Sequence, residues 1–85
     1  MRIIVVGTGY VGLVTGACFA ESGVNVMCVD VDVNKIQQLT DGAIPIYEPG
    51  LERFIQKNLQ SKNIDFTNNI KNGIEKSEII LIYTY

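Results

Sequence analysis

The run Ile3-Ile4-Val5-Val6-Gly7-Thr8-Gly9-Tyr10-Val11-Gly12 decides how the rest of this chain is read. Four consecutive β-branched residues without polar alternation fit a strand covered on both faces, as in a parallel sheet under helices. Arg2–Val6 is therefore expected to be a strand that Gly7 ends. From Tyr10 to about Ser22 the chain is helix-compatible, and it leaves through Glu21-Ser22-Gly23, a polar exit with a C-terminal glycine. Asn25–Val29 reads as a second strand that closes at Asp30. Strand, helix and strand within about thirty residues make a βαβ unit.

The turn inside that unit is G-x-G-x-x-G. Gly7 permits a tight exit from the strand, Gly9 lacks the Cβ that would keep a diphosphate off the backbone, and Gly12 lets the helix pack close to the sheet. Backbone N–H groups at the helix start, together with the positive end of its dipole, suit a pyrophosphate. Asp30 stands eighteen residues past Gly12, at the end of the next strand. An acid there accepts hydrogen bonds from both adenosine-ribose hydroxyls and repels a 2′-phosphate. No arginine follows it in Val31-Asp32-Val33, so the cofactor expected is NAD and not NADP. Lys35 reads either as a cation at the ribose rim or as a solvated lysine on a helix face.

Further along, Asp32 can cap a short helix over Val33–Thr40 with Val33, Ile36 and Leu39 on one side, and Asp41-Gly42 breaks it. Ala43–Tyr47 is an apolar loop around Pro45. Pro49 suits a first helical position, and Leu51, Phe54, Ile55 and Leu59 follow at helical spacing until Ser61-Lys62-Asn63. Ile64–Thr67 is a short strand. Asn68 or Asn69 can cap a weak helix carrying Ile70 and Ile74, and Glu78–Tyr83 is a last apolar strand. The fold class expected is α/β, the first half of a Rossmann-type parallel sheet of about four strands in order 3-2-1-4 with flanking helices. Residues 1–85 then form the N-terminal part of an NAD-binding domain, with no substrate or catalytic domain.

Composition narrows the classes. Seven Lys and Arg against nine Asp and Glu give a net charge of −2, so no basic patch exists for nucleic acid or for a membrane surface. The chain has no histidine and two cysteines, which leaves no histidine-dependent triad and too few preferred ligands for structural zinc. Cys18 and Cys28 lie among apolar neighbours and are expected to be buried structural thiols in a cytoplasmic, reducing setting. The apolar start, with Gly16-Ala17-Cys18 inside it, resembles a signal sequence, but the repeated glycines and strand-like runs argue against targeting.

The blocks Gly7-Thr8-Gly9-Tyr10-Val11-Gly12-Leu13-Val14-Thr15-Gly16-Ala17-Cys18, Val29-Asp30, Lys35-Ile36 and Pro45-Ile46-Tyr47-Glu48-Pro49-Gly50-Leu51 resemble the start of the UDP-glucose/GDP-mannose dehydrogenase family. Tyr47 before Glu48-Pro49 leans toward its UDP-glucose branch. The resemblance implies a three-domain NAD enzyme that oxidises a sugar C6 alcohol to a uronic acid in two hydride transfers through a cysteine thiohemiacetal. It places dinucleotide contacts on Gly7, Gly9, Tyr10, Val11, Gly12, Asp30 and Lys35. Thr84 aligns with a family threonine near the cofactor, although here Tyr83 and Tyr85 flank it where the family has a small or amide residue and a proline. The family's catalytic residues fall beyond residue 85, so no catalytic residue is expected here, and a nucleotide sugar would be a partner only of a full-length enzyme.

Two other readings remain open at this stage. One is a stand-alone nucleotide-binding module, the other a truncated product that binds nothing and self-associates. On every reading the Glu78–Tyr83 strand of the isolated chain would be an apolar sheet edge with little charge to blunt it, which favours a homo-oligomer built by edge pairing.

Overall fold

The computed structural model describes residues 2–44, 50–75 and 78–82. Its elements run β1 (Arg2–Val6), α1 (Tyr10–Glu21), β2 (Asn25–Val29), α2 (Val33–Thr40), α3 (Leu51–Gln60), β3 (Ile64–Thr67), α4 (Ile70–Glu75) and β4 (Ile79–Ile82). All strand pairings are parallel, as the apolar runs require, and the hydrogen-bonded order is β3-β2-β1-β4. This is a Rossmann-like α/β sheet. Its register sets Val6 beside Val29 and Val29 beside Thr67, so three adjacent strands end at one level.

Side chains of β1 alternate between two unequal layers. Ile3 and Val5 join Val26, Cys28, Ile64 and Phe66 under α1, α2 and α3, around the fully buried Leu13, Leu39 and Ile55. Each of those three contributes roughly 1.5–3 kcal/mol by leaving water. Ile4, Met27 and Val29 point to the other face, where α4 packs against β1 and β2.

Helix ends follow their local sequence. Asp32 caps α2, its Oδ1 accepting the Lys35 amide at 3.1 Å. Three helices close in the same way, with a left-handed residue after the last turn and its successor's amide returning to the helix. Val24 N–H reaches Phe19 C=O at 3.1 Å, Ala43 N–H reaches Gln38 C=O at 2.9 Å, and Asn63 N–H reaches Asn58 C=O at 2.9 Å. Glycine fills the left-handed position in the first two closures. Lys62 fills it in the third at φ 62°.

The expected burial of Cys18 needs correction, and two apolar helix residues stand outside the core. Cys18 is exposed, because α1 is apolar nearly all round and Cys18 falls on its outer side. Val33 is exposed at the first residue of α2, before the helix reaches the sheet. Phe54 is also exposed, while Asn58, a polar residue at the next turn, is only 2% exposed. The Asn58 Nδ2 donates to Glu21 Oε2 at 2.9 Å and to Phe54 C=O at 2.8 Å, and Lys57 Nζ pairs with Glu21 Oε1 at 2.7 Å. This network fastens α3 to the end of α1. It holds the Glu21 carboxyl below the usual range, chiefly through the Lys57 and Asn58 hydrogen bonds. Cys28 is fully buried, and that burial, with Asp65 nearby, pushes its thiol up to about 12, so it stays protonated.

Candidate functional site: the carboxyl end of the first two strands

Gly7 leaves β1 at φ 103°, a conformation that strains any residue with a side chain. Its amide donates to Val29 C=O at 2.7 Å, which ties the turn to the end of β2. Gly9 begins α1 without a side-chain cap, and no acid stands in the helix's first turn. The first backbone bond of the helix runs from Leu13 N–H to Gly9 C=O at 2.9 Å, so the Val11 and Gly12 amides before it have no intrahelical acceptor. Gly12 is the packing glycine: a Cβ there would run into the Gly7 carbonyl oxygen. The turn and helix α1 are thus in direct backbone contact.

Asp30 follows β2 at the same level. Its Oδ2 accepts the Thr8 amide at 3.0 Å and the Thr8 hydroxyl at 2.6 Å, its Oδ1 accepts the Asp32 amide at 3.0 Å, and Lys35 Nζ lies 3.9 Å from Oδ2. Partial burial works to raise the Asp30 carboxyl, but these hydrogen bonds and the Lys35 charge outweigh it and hold the group below its ordinary value of 3.8. At neutral pH it is an ionised acceptor. Gly7, Thr8, Gly9, Asp30 and Lys35 line one cleft of about 330 Å³, with Asn68 and Ile70 from the β3–α4 side closing it.

Gly7, Gly9, Asp30 and Lys35 are therefore brought together as the sequence suggested. Lys35 places its ammonium 3.9 Å from the Asp30 carboxylate at the edge of this cleft. Tyr10 and Val11, each 50% exposed, stand on the first turn of α1, and Tyr10 lines a separate hollow with Leu51 and Phe54. Thr84, and the Tyr47-Glu48-Pro49 block with its expected helix start, lie outside the described residues. Thr8 was missed. It is fully buried, and its role follows only from the register that sets the ends of β1 and β2 side by side.

Open amides at a helix start and an ionised acid one strand away suit a dinucleotide, with the diphosphate on the turn and a ribose at the acid. Residues 1–84 match the family model described as the UDP-glucose/GDP-mannose dehydrogenase family, NAD binding domain. The chain belongs to this family. Its NAD-binding domain is the part present, and NAD is the cofactor. UDP-glucose 6-dehydrogenase TuaD of Bacillus subtilis is 53% identical over 81 residues, covering 95% of this chain and 18% of that protein. UDP-glucose 6-dehydrogenase of Rhizobium meliloti is 45% identical over 82 residues, covering 96% and 19%. Among solved structures, GDP-mannose dehydrogenase of Pseudomonas aeruginosa, in a ternary complex, superposes with a TM-score of 0.96 at 36% identity, covering 100% of this chain and 20% of that one. The chain thus spans about a fifth of the length of these dehydrogenases. Among the described residues no group of three His, Cys, Asp or Glu side chains could hold a metal ion, and no helix is long and apolar enough to cross a membrane.

Proposed function

We propose that this chain supplies the adenosine and diphosphate half of the NAD site in a nucleotide-sugar dehydrogenase that oxidises UDP-glucose to UDP-glucuronate in two NAD-dependent steps. The observation that carries the reading is the junction of the glycine turn with Asp30, whose carboxylate sits at the end of the neighbouring strand and bonds to the turn itself. Gly7, Gly9, Val11 and Gly12 form the diphosphate cradle, Tyr10 starts the helix beside it, Asp30 receives the ribose, and Lys35 flanks that acid. The UDP-glucose branch is favoured by the identity to the Bacillus subtilis enzyme and by Tyr47. Oxidation of the sugar needs catalytic groups that these 85 residues do not carry, so the chain alone binds and does not turn over.

β4 stands at the edge of the sheet with β1 as its one neighbour among the described strands. Pairing of two such edges would give a homo-oligomer, the second part of the proposal. Light scattering should show a species heavier than 9.4 kDa at high concentration, and a clean monomer there ends this part.

Calorimetric titration of the purified protein with NAD and with NADP tests the cofactor reading. NAD should bind more tightly than NADP, and Asp30→Ala should weaken NAD by roughly thirtyfold, about 2 kcal/mol for lost charge-assisted hydrogen bonds. Equal affinities for the two cofactors, or an Asp30→Ala protein that binds NAD unchanged, would remove Asp30 from the site.

A further inference from the structure

The two oxygens of Asp30 are not equivalent. Oδ2 receives both the amide and the hydroxyl of Thr8, at 3.0 and 2.6 Å, whereas Oδ1 receives the Asp32 amide at 3.0 Å. An ionised carboxylate offers about four acceptor positions, roughly two on each oxygen. Thr8 therefore fills Oδ2, and Oδ1 keeps one position for a ligand. Lys35 Nζ, at 3.9 Å, is too far to hydrogen-bond and acts as a charge. The Thr8 hydroxyl is fully buried, so it has no bulk water as an alternative partner.

We propose that Thr8 is the positioning residue of the ribose acceptor: its two hydrogen bonds saturate Asp30 Oδ2, fix the rotation of the carboxylate and assign the ribose contact to Oδ1. The inference rests on the reading of Asp30 as the ribose acceptor. It also revises the expectation that Asp30 takes both ribose hydroxyls. With Thr8 in place the acid accepts one, and a second reaches Oδ2 only by displacing the Thr8 hydroxyl. Among the described residues, the charges beside Asp30 are the Lys35 ammonium on α2 and the Asp32 carboxylate, which is turned to the Lys35 amide as the α2 cap. Gly9 and Ile70, where α1 and α4 approach the cleft, bring no charge. Thr8 is thus the group whose removal changes the acid without altering the local charge.

Valine has the outline of threonine without the hydroxyl, and serine keeps the hydroxyl without the methyl. Calorimetry with NAD between pH 4 and 8 on wild type, Thr8→Val, Thr8→Ser and Asp30→Ala is combined with NMR titration of the Asp30 carboxyl carbon and the Thr8 amide proton in the ligand-free protein. Thr8→Val should weaken NAD about tenfold, the scale of one hydrogen bond to a charged group, while Thr8→Ser stays near wild type. Thr8→Val should also raise the pH at which Asp30 titrates and at which NAD binding fails on acidification. In wild type the Thr8 amide should titrate with the Asp30 carboxyl. A Thr8→Val protein with wild-type affinity and pH profile overturns the inference, provided Asp30→Ala is weakened. So does a wild-type Thr8 amide that ignores the Asp30 titration, a readout that needs no variant to fold. Unchanged binding in Asp30→Ala, or a folded wild type that does not take NAD, removes the reading of Asp30 and the inference with it.

Discussion

The two ends of the sheet both carry a cleft, and the larger one is at the amino end. That cleft, about 380 Å³, is lined by Arg2, Asn25, Lys62, Asn63 and Asp65, and so has more charge than the cleft of about 330 Å³ beside Asp30. By size and polarity it would be the better candidate. Backbone direction decides otherwise. At the amino end α1 and α3 finish, their last carbonyls accept the closing amides, and Asn63 C=O takes the Val26 amide at 2.7 Å. The Glu21, Lys57 and Asn58 side chains satisfy one another there. At the carboxyl end α1 begins, on a glycine that contributes no cap of its own. The helix ends at the amino end are closed by bonds within the protein, whereas at the carboxyl end the Val11 and Gly12 amides lack an intrahelical acceptor, at the strand ends where open parallel sheets take their ligands.

This contrast can be attacked from both sides. Gly12→Ala should have the largest effect, because the new Cβ collides with a backbone carbonyl that cannot step aside. We expect a loss of roughly 3 kcal/mol in urea denaturation, together with loss of NAD binding. Asn58→Ala strikes the other end. It should cost about 1–2 kcal/mol and leave NAD affinity as it was, and a parallel loss of affinity would show that the two ends are not separable.

Acid sharpens the contrast further. Asp30 and Glu21 are both held below their ordinary values of 3.8 and 4.5 in the fold. The stability each contributes is full above those values and is lost as pH falls through the lower folded-state ones. Denaturation midpoints should therefore fall on acidification below about pH 4.5. Asp30→Asn should flatten the carboxyl-end share of that slope and Glu21→Gln the amino-end share, each measurable by urea melts from pH 3 to 7. Lys62→Gly should give the smallest change, a gain of up to about 1 kcal/mol, because glycine holds a left-handed conformation without strain.

The elements were legible because each rests on a local signal. β-Branched runs marked the strands, Asp32 and Gly23 marked helix ends, and the spacing from Gly12 picked out Asp30. What stayed hidden depends on neighbours that the chain brings together later. Thr8 occupies an unspecified position of the glycine motif, and only the pairing of Val6 with Val29 delivers it to Asp30. Asn58 is a polar residue within a helical pattern, and its burial depends on Glu21, thirty-seven positions earlier, to satisfy it. Cys18 was misjudged because an almost wholly apolar helix has no polar stripe to tell its inner face from its outer one.

The bond from the Gly7 amide to Val29 has a consequence of its own. Together with the Thr8 contacts it ties the glycine turn to the strand that carries Asp30, through bonds made wholly within the protein. If the turn and Asp30 hold the dinucleotide as proposed, they act as the jaws of a fixed gauge: a ligand would have to bring its diphosphate and its sugar already spaced to fit, with little entropic cost of ordering the protein around it.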